Sequence, residues 1–362
     1  MDGTSEATWP EILGSKNWDN LLDPLDLSLR KLILRCGDFC QATYDAFNND
    51  QNSRYCGTSR YGKRNFFHKV MLDNPENYQV SSFLYATARV SLPEAFLLHS
   101  LSRDSWDRET NWIGYIAVTS DEQTKTLGRR EIYIAFRGTT RSYEWVDLLG
   151  AKLKSAKSLL RGATSTVHDQ ESSSSSDDDD DEVPKVMLGW LSMYISDDPN
   201  SPFTKLNIPV SAFVFGSPQV GNKEFNERFN KYPNLKVLHI KNKIDVIPHY
   251  PGRLMGYVYT GTEFEIDTRK SPSLKDSKNP SDWHNLQAIL HIVAGWNGEE
   301  QEFELKVKRS LALVNKSSEF LKDECLVPGI WWVEKNKGMV RNEDGEWVVA
   351  PPDEEDLPVP EC

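Results

Sequence analysis

Two residues in the second half of the chain, Asp245 and His284, have the types and the order needed to activate a nucleophile by proton transfer. Asp245 follows an apolar run at residues 235–240 and precedes Pro248, so its carboxylate should lie at the carboxyl end of a strand. A carboxylate placed there can orient an imidazole and stabilise its protonated form. His284 opens a helix-like stretch 39 residues later and could supply that imidazole from a loop.

Other interpretations of these residues stay open. His291 lies two helical turns after His284, within the apolar run at residues 289–293, and a buried packing histidine is the simpler interpretation of it. His249 is a third candidate because it is close to Asp245 in sequence. Asp245 itself could serve only to form a turn.

The chain lacks the serine that such a pair would activate. Hydrolases with this order of residues carry the serine on a G-x-S-x-G turn between a strand and a helix. No such pentapeptide occurs in the 362 residues. The nearest matches are residues 57–61, where the second glycine comes one residue late, and residues 216–218, where the serine follows the glycine directly.

Hydrophobic spacing predicts the elements that must position these residues. Apolar residues spaced by three and four predict helices, and short apolar runs predict strands. The run at residues 131–136 is apolar on both faces, which favours a central strand in a covered sheet. The succession of strand, helix and strand from residue 211 to 240 indicates a parallel sheet. The predicted helices are residues 26–47, 223–231, 283–294 and 303–321, and the predicted strands are 79–90, 111–118, 131–136, 211–216 and 235–240.

Four ordered motifs resemble those of a known family. FRGT at residues 136–139, VFGSPQVGN at 214–222 and NKIDVIP at 242–248 resemble landmarks of the class 3 lipases. WHNL at 283–286 and the arm at 9–47 resemble the plant cytosolic phospholipase A1 type of that family. The resemblance extends over nearly the whole chain. It implies an α/β-hydrolase-like fold, with a mostly parallel sheet flanked by helices, and a serine acylhydrolase that removes the sn-1 acyl chain of phospholipids.

The resemblance also implies roles for single residues. It implies that Asp245 and His284 are catalytic and that Thr139 stabilises the oxyanion through its backbone. An ordinary turn is the alternative at Thr139. Residues 141–150 match the position of a mobile lid, although their aromatic residues would fit a core equally well. The resemblance implies no cofactor and no metal.

The missing serine can be placed within the resemblance. In the family, the nucleophile strand, its turn and the next helix lie between the segments that correspond here to Trp190 and Phe213, and residues 191–212 are all that separates those points. A helix of about 11 residues and a strand of about 5, with their turns, would take up nearly all of that space, and the family has another helix there as well. We therefore expect one central strand and the nucleophile helix to be deleted near residue 207. A skipped exon or an error in the gene model would produce such a gap.

Charge and cysteine content exclude several classes of protein. The net charge of −12 argues against a nucleic-acid partner, which usually requires a basic face. The serine- and aspartate-rich residues 163–183 should form a disordered surface loop, with phosphorylation or cation binding as alternatives. Five cysteines without a CxxC pair, and an amino terminus without signal features, predict a cytoplasmic location.

The predicted organisation is a helical arm at residues 1–50, a hydrolase domain at 51–325 and a tail at 326–362. The expected partner is a phospholipid or another acyl lipid, with transient contact at a membrane surface. Without its nucleophile this chain should have activity near background. The alternatives are a non-catalytic lipid-binding pseudoenzyme and a misfolded truncated isoform, in which strands at 132–136 and 213–216 lack a shared neighbour.

Overall fold

The computed structural model describes residues 7–50, 52–88, 109–138, 153–155, 185–187, 208–332 and 338–350. Thr139, the lid segment at 141–150, the acidic loop at 163–183 and the expected deletion near 207 lie outside these ranges. Within them the α-helices are α1 (Trp9–Ile12), α2 (Leu27–Ala46), α3 (Phe66–Lys69), α4 (Asp121–Leu127), α5 (Lys223–Phe229), α6 (Pro280–Trp283) and α7 (Leu286–Gly295). The strands are β1 (Tyr78–Ala88), β2 (Glu109–Thr119), β3 (Ile132–Phe136), β4 (Leu153–Ser155), β5 (Lys185–Met187), β6 (Val210–Phe215), β7 (Leu235–Asn242), β8 (Thr262–Ile266), β9 (Met339–Arg341) and β10 (Trp347–Val349).

Helix α2 joins two cores and matches the helix predicted over residues 26–47. Asp26 caps the amino terminus of the helix, where its carboxylate accepts hydrogen bonds from the backbone N–H groups of Ser28 and Leu29 at 2.8 and 2.9 Å. Leu29 on its first turns packs in the core that contains β7 and α7. Phe39, farther along, packs in the core that contains β2. The helix therefore lies over both of the larger sheets.

The first sheet is antiparallel and has the strand order β1-β2-β3. Among the described strands, β3 pairs with β2 alone and so ends this sheet. Its Tyr133 and Ala135 pack in the core, whereas Ile132 and Ile134 are 52% and 39% exposed. The expectation of a strand covered on both faces was therefore wrong, because β3 alternates between a packed face and a solvent-exposed face.

The second sheet is parallel, as the sequence predicts, and has the strand order β6-β7-β8. Helix α5 connects β6 to β7. The inward residues Leu238 and Ile240 of β7 pack with α7 in the larger core. Because β6 and β7 are parallel, the residues that follow them, from Gly216 and from Lys243, leave the same edge of the sheet. This arrangement is the α/β architecture that the sequence indicates.

The helix predicted over residues 303–321 is wrong. Only a 3-10 turn forms there, at Leu311–Asn315. The preceding chain runs along the end of α7, where the N–H groups of Lys306 and Val307 donate to the carbonyl of Ala294 at 2.9 and 3.3 Å. Phe303 and Val307 both pack against the larger core. Tertiary packing and these backbone bonds replace the helical ones that the spacing suggested.

Candidate active site

Asp245 is buried in the turn that follows β7. Its side chain is fully buried, and its Oδ1 accepts a hydrogen bond from the backbone N–H of Ile247 at 3.0 Å. Its own N–H donates to the carbonyl of Asn242, the last residue of β7, at 3.0 Å. These contacts fix the carboxylate and direct Oδ2 away from the turn, where it can accept a further donor.

That donor is His284. The residue caps the carboxyl end of the short helix α6, and its N–H donates to the carbonyl of Pro280 at 3.1 Å. Its Nδ1 lies 2.6 Å from Oδ2 of Asp245. The imidazole is 32% exposed, so a buried carboxylate holds a ring that solvent can reach. A bond at Nδ1 leaves Nε2 as the nitrogen that could act as a base.

Gly216 packs directly against the imidazole of His284. It follows β6 directly and has a left-handed backbone with φ +62°. A Cβ atom at this position would lie 2.7 Å from Cε1 of His284 and 2.9 Å from its Nδ1. Such contacts are too short for any side chain, so only glycine lets the ring lie against the end of β6. Asp245, His284 and Gly216 therefore meet at the carboxyl edge of the parallel sheet.

Asn242 connects the segment that carries Asp245 to the segment that carries His284 through side-chain hydrogen bonds. The residue is fully buried at the end of β7, and its Nδ2 donates to the carbonyl of Trp283 at 2.9 Å and to the hydroxyl of Thr268 at 3.0 Å. Its Oδ1 accepts from the N–H of Thr268 at 3.2 Å. The turn that carries Asp245 is thus connected to the residue immediately before His284. In the sequence, only the resemblance to the class 3 lipases pointed to Asn242. Its place as a polar residue at the end of a buried strand was a further signal that could have identified it.

The structure separates His284 from the two other histidines considered in the sequence. His291 is buried in α7, where its Nε2 lies 2.8 Å from Oγ of Ser271, and burial followed by the charge of Arg309 lowers its pKa to about 4. His249 is exposed, and its Nδ1 lies 2.7 Å from the hydroxyl of Tyr259. Of the three, His284 is the one that the structure brings to Asp245.

A fourth histidine, His239, lies near the site but was not identified from the sequence. It lies on β7 opposite Val214 of β6, and it bonds the backbone of Ser217 in the turn after Gly216. Burial, followed by the charge of Lys241, lowers its pKa to about 4, although Asp245 acts in the opposite direction. A neutral imidazole therefore supports the β6 turn from the neighbouring strand. A single polar residue inside an apolar strand was the available signal.

The residues around the oxyanion candidate are described up to Gly138. Arg137 is buried, and its guanidinium lies 4.1 Å from the ring centre of Phe47 and donates to the carbonyl of Gly138 at 2.8 Å. A Cβ on Gly138 would lie 2.1 Å from the hydroxyl of Tyr44 on α2. Helix α2 thus packs against the chain that enters Thr139. The role of Thr139 stays a prediction.

Within the described ranges, no group of three or more His, Cys, Asp or Glu side chains is arranged to hold a metal ion. None of the described helices is long and apolar enough to cross a membrane. Ser217, the serine beside Gly216, donates its hydroxyl to the carbonyl of Pro218 at 3.1 Å.

Comparison with known proteins gives consistent matches. The sequence pattern of the lipase (class 3) family matches residues 191–255. Phospholipase A1-IIdelta of Arabidopsis thaliana is 58% identical, with 99% of both chains covered. Phospholipase A1-II 5 of Oryza sativa subsp. japonica is 43% identical, with 99% of this chain and 86% of the rice protein covered. The alignment with the Arabidopsis protein runs over 417 positions, which is 55 more than the 362 residues of this chain. At least 55 residues of the Arabidopsis protein therefore have no counterpart in this chain.

Solved lipase structures are more distant. A triacylglycerol lipase described as having a serine protease triad as its catalytic centre is 14% identical, with a TM-score of 0.32 over 72% of this chain and 82% of that one. The nonglycosylated LIP2 lipase of Yarrowia lipolytica is also 14% identical, with a TM-score of 0.38 over 68% and 82%. Similarity at this level carries no argument about the site.

Proposed function

Since this chain belongs to the class 3 lipase family, among proteins named phospholipase A1-II, we propose that its site is that of a phospholipid sn-1 acylhydrolase from which the nucleophile is absent. The observation that carries the proposal is the 2.6 Å contact between His284 Nδ1 and the buried Asp245. A buried carboxylate bonded to one nitrogen of a partly exposed imidazole is the acid–base half of a serine triad.

The retained residues have defined tasks in this reaction. Asp245 holds the Nδ1 proton of His284 and stabilises the imidazolium. Nε2 of His284 would remove the proton of a serine hydroxyl as that oxygen attacks the ester carbonyl, and would later return it to the leaving alcohol. Backbone N–H donors near Thr139 would stabilise the oxyanion. With no serine to attack the carbonyl, only the residual effect of binding and oxyanion donors remains.

We place the missing nucleophile segment at Asn207, between Leu206 and Ile208. Four observations support the loss of a segment between β3 and β6. The chain contains no G-x-S-x-G sequence, and the alignment with the Arabidopsis relative leaves at least 55 positions without a residue here. Among the described strands, β3 and β6 each end their sheet. Helix α2 packs on both of these strands, as one helix covering a continuous sheet would.

The test is to insert the corresponding segment of the Arabidopsis relative, with its serine turn, at Asn207. Fatty-acid release from the sn-1 position is then compared between the repaired chain and the present one. We expect the repaired chain to be faster by roughly 10⁴-fold or more, the order of effect of a triad serine. Asp245→Ala and His284→Ala should each remove most of that gain.

Two controls decide the interpretation. Ser217→Ala in the present chain should leave its background hydrolysis unchanged, and strong activity that depends on Ser217 would refute the proposal. A repaired chain that folds but shows no hydrolysis above the present chain would refute it as well. Sequencing the transcript across residues 206–210 separates a real loss from a gene-model error.

Two alternatives remain for the present chain, and each has its own observation. The exposed Leu254 and Met255, on the connection that follows Asp245, favour a lipid-binding protein without turnover. Ile132 and Ile134 on β3 are exposed, which favours the misfolded, aggregating isoform in which β3 lacks a neighbouring strand. Cooperative unfolding of a purified monomer would contradict the second alternative.

We also propose a cytoplasmic location. The support is that Cys36, Cys40 and Cys325, in the described part of the chain, are free thiols, as expected in a reducing compartment. Fractionation of cells that express a tagged chain tests this location.

A further inference from the structure

The connection between β7 and β8 differs in composition from the rest of the chain. Residues 246–261 contain no Asp or Glu, although the chain carries 54 acidic residues in 362 and a net charge of −12. The same residues include the exposed Arg253 and the half-buried Tyr250 and Tyr259. Apolar and tyrosine side chains accompanied by a cation form the composition that favours the boundary between lipid head groups and acyl chains.

The centre of this connection presents apolar side chains to solvent. We call residues 252–256 the apolar tip. Its 3-10 turn, Arg253–Met255, lies between Gly252 and Gly256, which have φ of +84° and +79°. The N–H groups of Met255 and Tyr257 both donate to the carbonyl of Gly252, at 3.1 and 3.3 Å. Leu254 is fully exposed and Met255 is 47% exposed.

Both ends of the tip are fixed to the turn that follows β6. The N–H of Gln219 donates to the carbonyl of Tyr250, and the N–H of Val258 donates to the carbonyl of Gly221, each at 2.9 Å. Tyr257, directly after the tip, is fully buried. That same β6 turn begins at Gly216, against which His284 lies. The tip is therefore a rigid projection attached to the structure that carries the catalytic pair.

We propose that the apolar tip docks this chain on a phospholipid bilayer, with Leu254 and Met255 entering the acyl boundary and Arg253 among the phosphates. This inference rests on the proposed function only for the choice of lipid as the partner. Val246, directly after Asp245, is 56% exposed and adds a third apolar side chain on the same connection. Because the turn is already fixed, docking costs little ordering of the backbone.

A lipid surface fits the tip better than a second copy of the chain does. A stable protein interface buries about 800 Å² on each partner. Two apolar side chains on a five-residue turn, with Val246 elsewhere on the connection, offer much less than that area. A bilayer needs no complementary groove, since each side chain contributes independently as it leaves water.

The test is co-sedimentation of the purified chain with phosphatidylcholine vesicles, with and without added phosphatidylglycerol. We expect binding that persists at high salt, because apolar burial is not screened. Replacing both Leu254 and Met255 with Ser should weaken binding about tenfold or more, and Leu254→Trp should strengthen it. The matched control is Leu326→Ser, at an 82% exposed leucine on another loop, which should bind as the unaltered chain does.

Three results would overturn the inference. One is equal binding by the unaltered chain and the Leu254→Ser/Met255→Ser variant. Another is an equal loss in the Leu326→Ser control, which would show a general effect of exposed leucines. The third is a dimer in sedimentation velocity that the double variant converts to a monomer, which would assign the tip to contact between copies.

Hydrolysis is measured separately, so that failure of the proposed function can be recognised. Vesicle binding by the present chain requires no nucleophile, and it supports the docking inference even if the repaired chain proves inactive. In a repaired chain that is active, the double variant should need about tenfold more vesicle lipid for half-maximal hydrolysis. Its hydrolysis of a soluble short-chain ester should be unchanged, and loss of that activity would overturn the assignment of the tip to docking.

Discussion

Replacing Gly216 with Ala should displace His284 and so break its bond to Asp245. Two costs contribute. The first is the backbone penalty for a Cβ at φ +62°, about 1 kcal/mol. The second is steric, because the new Cβ would lie 2.7 Å from Cε1 and 2.9 Å from Nδ1 of the ring. Moving the ring away loses a hydrogen bond to a charged, buried acceptor, which is worth about 1.5–3 kcal/mol. The total loss of unfolding free energy should be about 3 kcal/mol.

Gly128 supplies the matched control for the backbone penalty. It has φ +68°, and an added Cβ there would meet nothing within 4 Å. Gly128→Ala should therefore cost only about 1 kcal/mol. The difference between the two substitutions, about 2 kcal/mol, measures the collision with His284. Urea unfolding of both variants, followed by tryptophan fluorescence and circular dichroism, gives this difference.

A double-mutant cycle assigns that difference to the imidazole. In a His284→Ala background the ring is absent, so Gly216→Ala should cost no more than Gly128→Ala does. NMR of the imidazole should show a new environment for His284 in Gly216→Ala and an unchanged one in Gly128→Ala. Equal costs for the two glycine substitutions in the original background would refute the placement of His284 against β6.

The sequence was sufficient to predict the residues at the strand ends. Asp245 follows a clear apolar strand and precedes a proline, and these local signals are enough to place it at the edge of the parallel sheet. His284 was favoured over His291 as the partner of Asp245 because it lies outside the apolar run that forms α7. Such features depend on short-range spacing, which a single sequence records.

The errors and omissions came from contacts between distant segments. The stretch at residues 303–321 has apolar residues at helical spacing, but its backbone instead bonds the end of α7. Burial on each face of β3 depends on what packs beside it, which its own composition does not record. The fit of Gly216 against an imidazole 68 residues away likewise follows from the fold and not from local sequence.

Two further predictions concern buried groups outside the site. His291 has a pKa lowered to about 4, against an ordinary 6.5, so the unfolded chain binds its proton more readily and stability falls as the pH drops from 6.5 towards 4. His291→Phe should remove about one proton from that dependence, which urea unfolding between pH 7 and 4.5 would detect, and an unchanged slope would contradict the assignment. Lys316 and Asp45 form a buried ion pair at 2.6 Å, with side chains 6% and 3% exposed, that ties α2 to the chain after α7. Lys316→Met should cost about 3–5 kcal/mol, because it leaves the Asp45 charge buried without its partner. Adding Asp45→Leu should recover most of that loss, since the apolar pair leaves no buried charge. If the double variant is no more stable than Lys316→Met in urea unfolding, the unpaired charge is not the source of the cost.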